Sequence, residues 1–127
     1  MKKEKLEKYK KQLLKGNAID ESEEVVDVVN TSYVKKSALG FGKWVQGWAY
    51  YTDKQLVIPT NLGLGHIHVK YKNIEAIDTC SQFFMPLGIV ITYHDEKENT
   101  STVLRISTKK RAKYIAFLEE KSGIKCA

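Results

Sequence analysis

A change of period near Glu24 constrains this chain more than any other feature. From there to Ile106 apolar residues tend to recur at every second position, in short runs broken by turn-forming residues. A strand with one buried and one solvated face demands that period, and a helix does not. Seven runs carry it: residues 25–34, 43–51, 55–60, 66–71, 74–80, 87–93 and 101–106. The fourth is the cleanest, with Ile67, Val69 and Tyr71 facing one way and His66, His68 and Lys70 the other. Seven short strands joined by turns such as Thr52-Asp53-Lys54 predict an antiparallel sandwich or small barrel.

Helical spacing flanks this region on both sides. Over residues 2–15, Leu6, Tyr9, Leu13 and Leu14 fall on one stripe, and Gly16 is the expected left-handed residue after the last turn. The acidic run 20–24 reads as a solvated connector. After the seventh strand, residues 108–122 form a second helix, with Ser107 or Thr108 as its cap and Arg111, Tyr114, Ile115 and Leu118 along one side. Gly123 followed by Ile124 suggests a Schellman ending. The division is a basic amphipathic helix, 1–17, and a β-rich domain, 18–127.

Charge narrows the function. The net charge is +6, and residues 1–16 hold seven lysines against Glu4 and Glu7, leaving the remainder close to neutral. A broad nucleic-acid face on that near-neutral body is not expected. Mean hydropathy is −0.37 and no apolar run reaches the roughly 20 residues a membrane span needs. With Cys80 and Cys126 as the two cysteines, a disulfide framework is not expected, and a cytoplasmic location is. Neither a Gly-x-Ser-x-Gly elbow, a His-Glu-x-x-His helix nor a phosphate-binding loop occurs, so a catalytic site is not expected.

Several stretches together resemble the PH-like fold, specifically the GRAM and bacterial PH-domain families. They are Glu23-Glu24-Val25-Val26 before the first strand, the glycine-aromatic strand and threonine turn of residues 47–58, residues 69–77, and the helix after the seventh strand. The resemblance covers about residues 20–122. It implies a mainly β, partly open seven-stranded antiparallel barrel capped by its C-terminal helix, with the N-terminal helix as an extra element. It also implies scaffolding, membrane association or self-assembly rather than catalysis, so the expected function is a non-enzymatic binding or scaffolding module acting through protein contacts or self-association, with a membrane as a further setting; no cofactor is expected. A peripheral domain binding anionic lipid through the N-terminal helix and the strand 1–2 loop is the alternative.

Candidate residues follow. For an anion or lipid headgroup they are Lys35, Lys36 and Lys43 around the strand 1–2 loop, and Lys109, Lys110 and Arg111 at the start of the last helix. Val45 stands where headgroup-binding relatives carry an arginine, which removes the bidentate fork. The stripe Leu6, Tyr9, Leu13 and Leu14 is suited to a membrane surface, a partner helix or the chain's own barrel. Phe83-Phe84-Met85 makes a contiguous apolar loop and a protein-contact candidate. Trp44, Trp48 and Tyr50 share strand parity and are expected to face the core, while Leu39, Phe41 and Leu64 sit in loops. His66, His68 and His94 are a conceivable metal set, but Lys70 beside them disfavours one, and no metal is expected. Neither nucleic acid nor a small-molecule substrate is expected as a partner.

Overall fold

The computed structural model describes residues 2–37 and 40–127, with the backbone alone at Leu62. Helix α1 (Lys3–Lys15) precedes β1 (Val25–Lys35), β2 (Val45–Thr52), β3 (Gln55–Thr60), β4 (Gly65–Lys70), β5 (Ile74–Gln82), β6 (Met85–Asp95) and β7 (Thr100–Ser107), and α2 (Arg111–Ser122) follows. The strands form one antiparallel sheet in the order β4-β3-β2-β1-β7-β6-β5, so β4 and β5 are its unpaired edges and the barrel is not closed. The expected seven strands and two helices are all present.

Alternation explains the core. Ala49 and Tyr51, Leu56 and Ile58, Ile67 and Val69, Ile89, Ile91 and Tyr93, and Leu104 and Ile106 all point into one buried cluster. Ile74 and Ile77 both point inward although three residues apart, because a bulge between Ile74 and Ala76 shifts the parity of β5. Helix α2 seals this cluster. Tyr114 stacks on Tyr51 at 4.9 Å, and the Phe117 ring stands edge-on to Tyr51 and Tyr71.

Helix α1 covers the opposite face of the sheet. Leu13 is buried with Val25, Val28 and Val57, while Leu6, Tyr9, Leu14 and Tyr50 pack around them. Both faces of β3 are therefore covered, which is why Leu56-Val57-Ile58 is apolar without a break. Of the three settings open to the Leu6–Leu14 stripe, the structure places it on the chain's own sheet.

Some details depart from expectation. Gly16 is not left-handed; Asn17 is, with φ 58°. The Asn17 N–H bonds to the Leu14 carbonyl and the Ala18 N–H to that of Leu13, so the Schellman motif ends α1. Helix α2 ends instead in the simpler left-handed cap, with the Gly123 N–H donating to the Glu119 carbonyl. Neither Ser107 nor Thr108 caps α2; its N-cap is Lys110, with no side-chain bond. Glu23 is not solvated. It is buried and accepts hydrogen bonds from Thr52 Oγ1 (3.0 Å) and Gln55 Nε2 (3.0 Å). The aromatic face of β2 also turns away from the core. Tyr50 lies under Tyr9, and Trp48 is half-exposed. The inward positions are taken by Ala49 and Tyr51, and by Gly47, where a Cβ would come within 2.9 Å of the Tyr33 ring.

Candidate functional site

Strands β5 and β6 extend further than the period suggests, to Gln82 and Met85, which pair across the sheet. Only Phe83 and Phe84 connect them. Both adopt positive φ, 48° and 66°. Two consecutive left-handed residues match the two-residue hairpin turn that normally takes Asn-Gly, since a Cβ disfavours this conformation by roughly 1–2 kcal/mol per residue. Nothing in the folded chain compensates at the side chains: Phe83 is 78% exposed, Phe84 100% and Met85 54%. Met85 and Pro86, expected in a loop, open β6 instead.

The tip is held firmly at its base. Gly88 faces Cys80 so closely that a Cβ there would lie 2.7 Å from the Cys80 carbonyl oxygen and against Sγ. Ser107 Oγ hydrogen-bonds Gln82 Oε1, and the Thr108 N–H donates to the Leu87 carbonyl. Arg111 reaches the Cys80 carbonyl at 3.4 Å. The β7–α2 junction and the Phe-Phe tip thus leave the barrel at the same end, and Lys109 and Lys110, which follow β7, are exposed. Burial pushes the Cys80 thiol above its ordinary pKa, which keeps it protonated at neutral pH.

The lysines of the β1–β2 region do not join this cluster. Lys35 is paired with Asp95 at 2.6 Å. Lys36 is exposed and shares a shallow hollow of about 690 Å³ with Lys35, Asp95 and Glu98, so acids accompany the cations there. Lys43 is exposed. Phe41 is half-buried beneath the Arg105 guanidinium, 3.7 Å from its ring centre, and Leu64 is 91% exposed. Leu39 lies outside the described residues.

The three histidines line one cavity of about 560 Å³, although two lie on β4 and one on β6. The His66 and His68 rings stand 5.8 Å apart, and His68 Nδ1 is 3.0 Å from Gln55 Oε1. Partial desolvation and neighbouring His66 hold the His68 pKa below the ordinary value. Among the described residues no three His, Cys, Asp or Glu side chains are grouped to hold a metal ion. No described helix is long and apolar enough to cross a membrane.

No family model matches the chain, and no curated protein matches it by sequence. Solved structures match it in shape. The C-terminal domain of an unknown protein from Leishmania infantum superposes with a TM-score of 0.62 at 19% identity, over 91% of this chain and 95% of that one. The Vps36 N-terminal PH domain gives 0.58 at 10% identity over 83% of each chain. The DH/PH domains of p115-RhoGEF give 0.58 at 10% identity, with 94% of this chain matching 40% of that one. Identities this low carry the fold and nothing finer.

Proposed function

Starting from the PH-like fold that these likenesses establish, we propose that this chain is a non-enzymatic docking module that attaches reversibly to an anionic membrane surface through its β5–β6 tip. The exposed Phe83-Phe84 turn carries the reading. A fold retains two aromatic side chains in an unfavourable backbone conformation, largely in solvent, when something outside the fold receives them. A bilayer fits better than a protein here. A convex tip of three residues offers far less than the roughly 800 Å² a standard interface takes from each partner, whereas lipid needs no matching shape. Full burial of each Phe would contribute roughly 1.5–3 kcal/mol, and each lysine near an anionic leaflet roughly 1 kcal/mol. Phe83, Phe84, Lys109 and Lys110 together then support reversible attachment. Within the PH-like fold, the pattern of residues 47–58 and 69–77 supports kinship with the GRAM and bacterial PH domains.

Vesicle flotation tests the proposal. Wild-type protein is expected to float with vesicles containing phosphatidylserine and to stay unbound with neutral ones, and F83N/F84G to lose flotation. Wild-type protein that remains unbound at every lipid composition overturns the reading. A stable oligomer by light scattering, dissociated by F83N/F84G, would then favour self-association through the same tip.

A further inference from the structure

The start of α1 and the start of α2, more than a hundred residues apart in sequence, frame one groove. Lys2 and Lys5 line it from the first helix, Lys109, Lys110 and Lys113 from the second, and Asp27, Val28, Val29 and Tyr114 complete a volume of about 660 Å³. Asp27, the single carboxylate among its described residues, is already engaged. Its Oδ2 accepts from Lys113 Nζ at 3.0 Å and Tyr114 Oη at 2.9 Å, and its Oδ1 from the Val28 N–H at 2.9 Å. Burial alone would raise its pKa, but the Lys113 and Tyr114 bonds hold the carboxyl below its ordinary range. Elsewhere Lys10, Lys35 and Lys70 each meet an acid, yet Lys2, Lys5, Lys109 and Lys110 stand in no ion pair among the described residues.

The helix ends point the same way. A helix start carries partial positive charge and favours an acidic or hydroxyl cap, but the N-caps here are Lys2 and Lys110, and neither lends a side-chain acceptor to the first turn. Two helix starts and four unpaired ammonium groups around one groove repel one another in the absence of an anion. Lysine suits phosphate as a point-charge donor, and among the described residues of the groove no arginine demands a planar, bidentate ligand.

We propose that this groove is a binding site for a multiply charged phosphate group, separate from the β1–β2 loop. A soluble phosphate compound would use it directly. A phosphate on a lipid headgroup would use it while the tip is inserted, and that second source rests on the membrane reading above.

Titration of the full chain with pyrophosphate, followed by amide NMR, tests the site itself. Saturable binding is expected, with shifts at Lys2, Lys5, Lys109 and Lys110. K109E/K110E should weaken it by about tenfold or more, since each lysine contributes on the scale of a fivefold change and two are reversed. K36E/K43E should leave it unchanged. Acidic residues suit a helix start, so K109E/K110E should melt no lower than wild type, which separates lost binding from lost folding. Non-saturable binding, or equal weakening by K36E/K43E, overturns the proposal. Vesicles of equal charge identify the source. Preference for phosphatidic acid over phosphatidylserine supports a lipid phosphate; pyrophosphate binding without that preference supports a soluble one. Pyrophosphate binding in a protein that never floats upholds the groove and rejects only the membrane reading.

Discussion

Phe83 and Phe84 are the residues where stability and solvent exposure conflict most plainly. Replacing them with Asn-Gly fits the turn and removes no buried contact, because the Phe84 side chain is wholly exposed and Phe83 nearly so. F83N/F84G is therefore expected to raise unfolding free energy by about 1–3 kcal/mol in a urea titration. The turn was hard to read in advance for the same reason: Phe-Phe contradicts the chemistry of a two-residue hairpin, so the sequence suggests a longer loop that includes Met85 and Pro86. Asp27 and Asp95 are the two partly buried carboxyls, beside exposed Asp20 and Glu96, whose lowered pKa values shape the acid response. Burial raises both carboxyl pKa values, but hydrogen bonds from Lys113 and Tyr114 to Asp27, and from Lys35 to Asp95, leave each below its ordinary range. A carboxyl of lowered native pKa binds fewer protons folded than unfolded, so its contribution is complete above the unfolded value, near 3.9, and is lost as pH falls through the native one. Unfolding free energy should begin to drop below about pH 5 and keep falling as pH passes through the native values, and D27N/D95N should flatten part of that slope.

Among the elements, α1 shows how far a pattern alone can take the argument. Its stripe is legible because Leu6, Tyr9, Leu13 and Leu14 repeat at helical spacing, but a stripe does not name what it packs against. One further signal is present in β3, where the unbroken Leu56-Val57-Ile58 demands cover on both faces, and α1 supplies the outer one. Leu13 lies at the centre of that contact and is 4% exposed. L13A should destabilise the chain by about 2–5 kcal/mol, read from the shift of the denaturation midpoint. Chain shortened to Ala18 would expose Val28 and Val57, so its loss of lipid binding would mix unfolding with a missing anchor. Burial of Glu23 was illegible, since in sequence it is one acid in an acidic run. Only the Thr52 and Gln55 side chains, brought close by the β2–β3 turn, distinguish it.

At the scale of the whole molecule the charge is lopsided. Seven of the lysines belong to residues 1–16, and folding sets the first of them beside Lys109 and Lys110 at the start of α2. Attraction between that end and an acidic leaflet is screened over about 8–10 Å at 0.1–0.15 M salt. Flotation with phosphatidylserine vesicles should therefore weaken steadily as salt rises from 0.05 to about 0.5 M, while any residue of binding at high salt reports the aromatic tip alone. The fold class was the most legible level, because seven alternating runs and a closing helix leave few other architectures; the meeting of two helix starts depends on how α1 docks, which no local pattern specifies. Strand β6 runs without interruption from Met85 at the tip to Asp95 at the rim of the histidine cavity. Eleven residues of extended chain reach up to roughly 35 Å, about the thickness of a small domain. Standing on its aromatic end, the protein would lift that cavity clear of the lipid and turn it toward open water, so that whatever enters there could come and go without disturbing the attachment below.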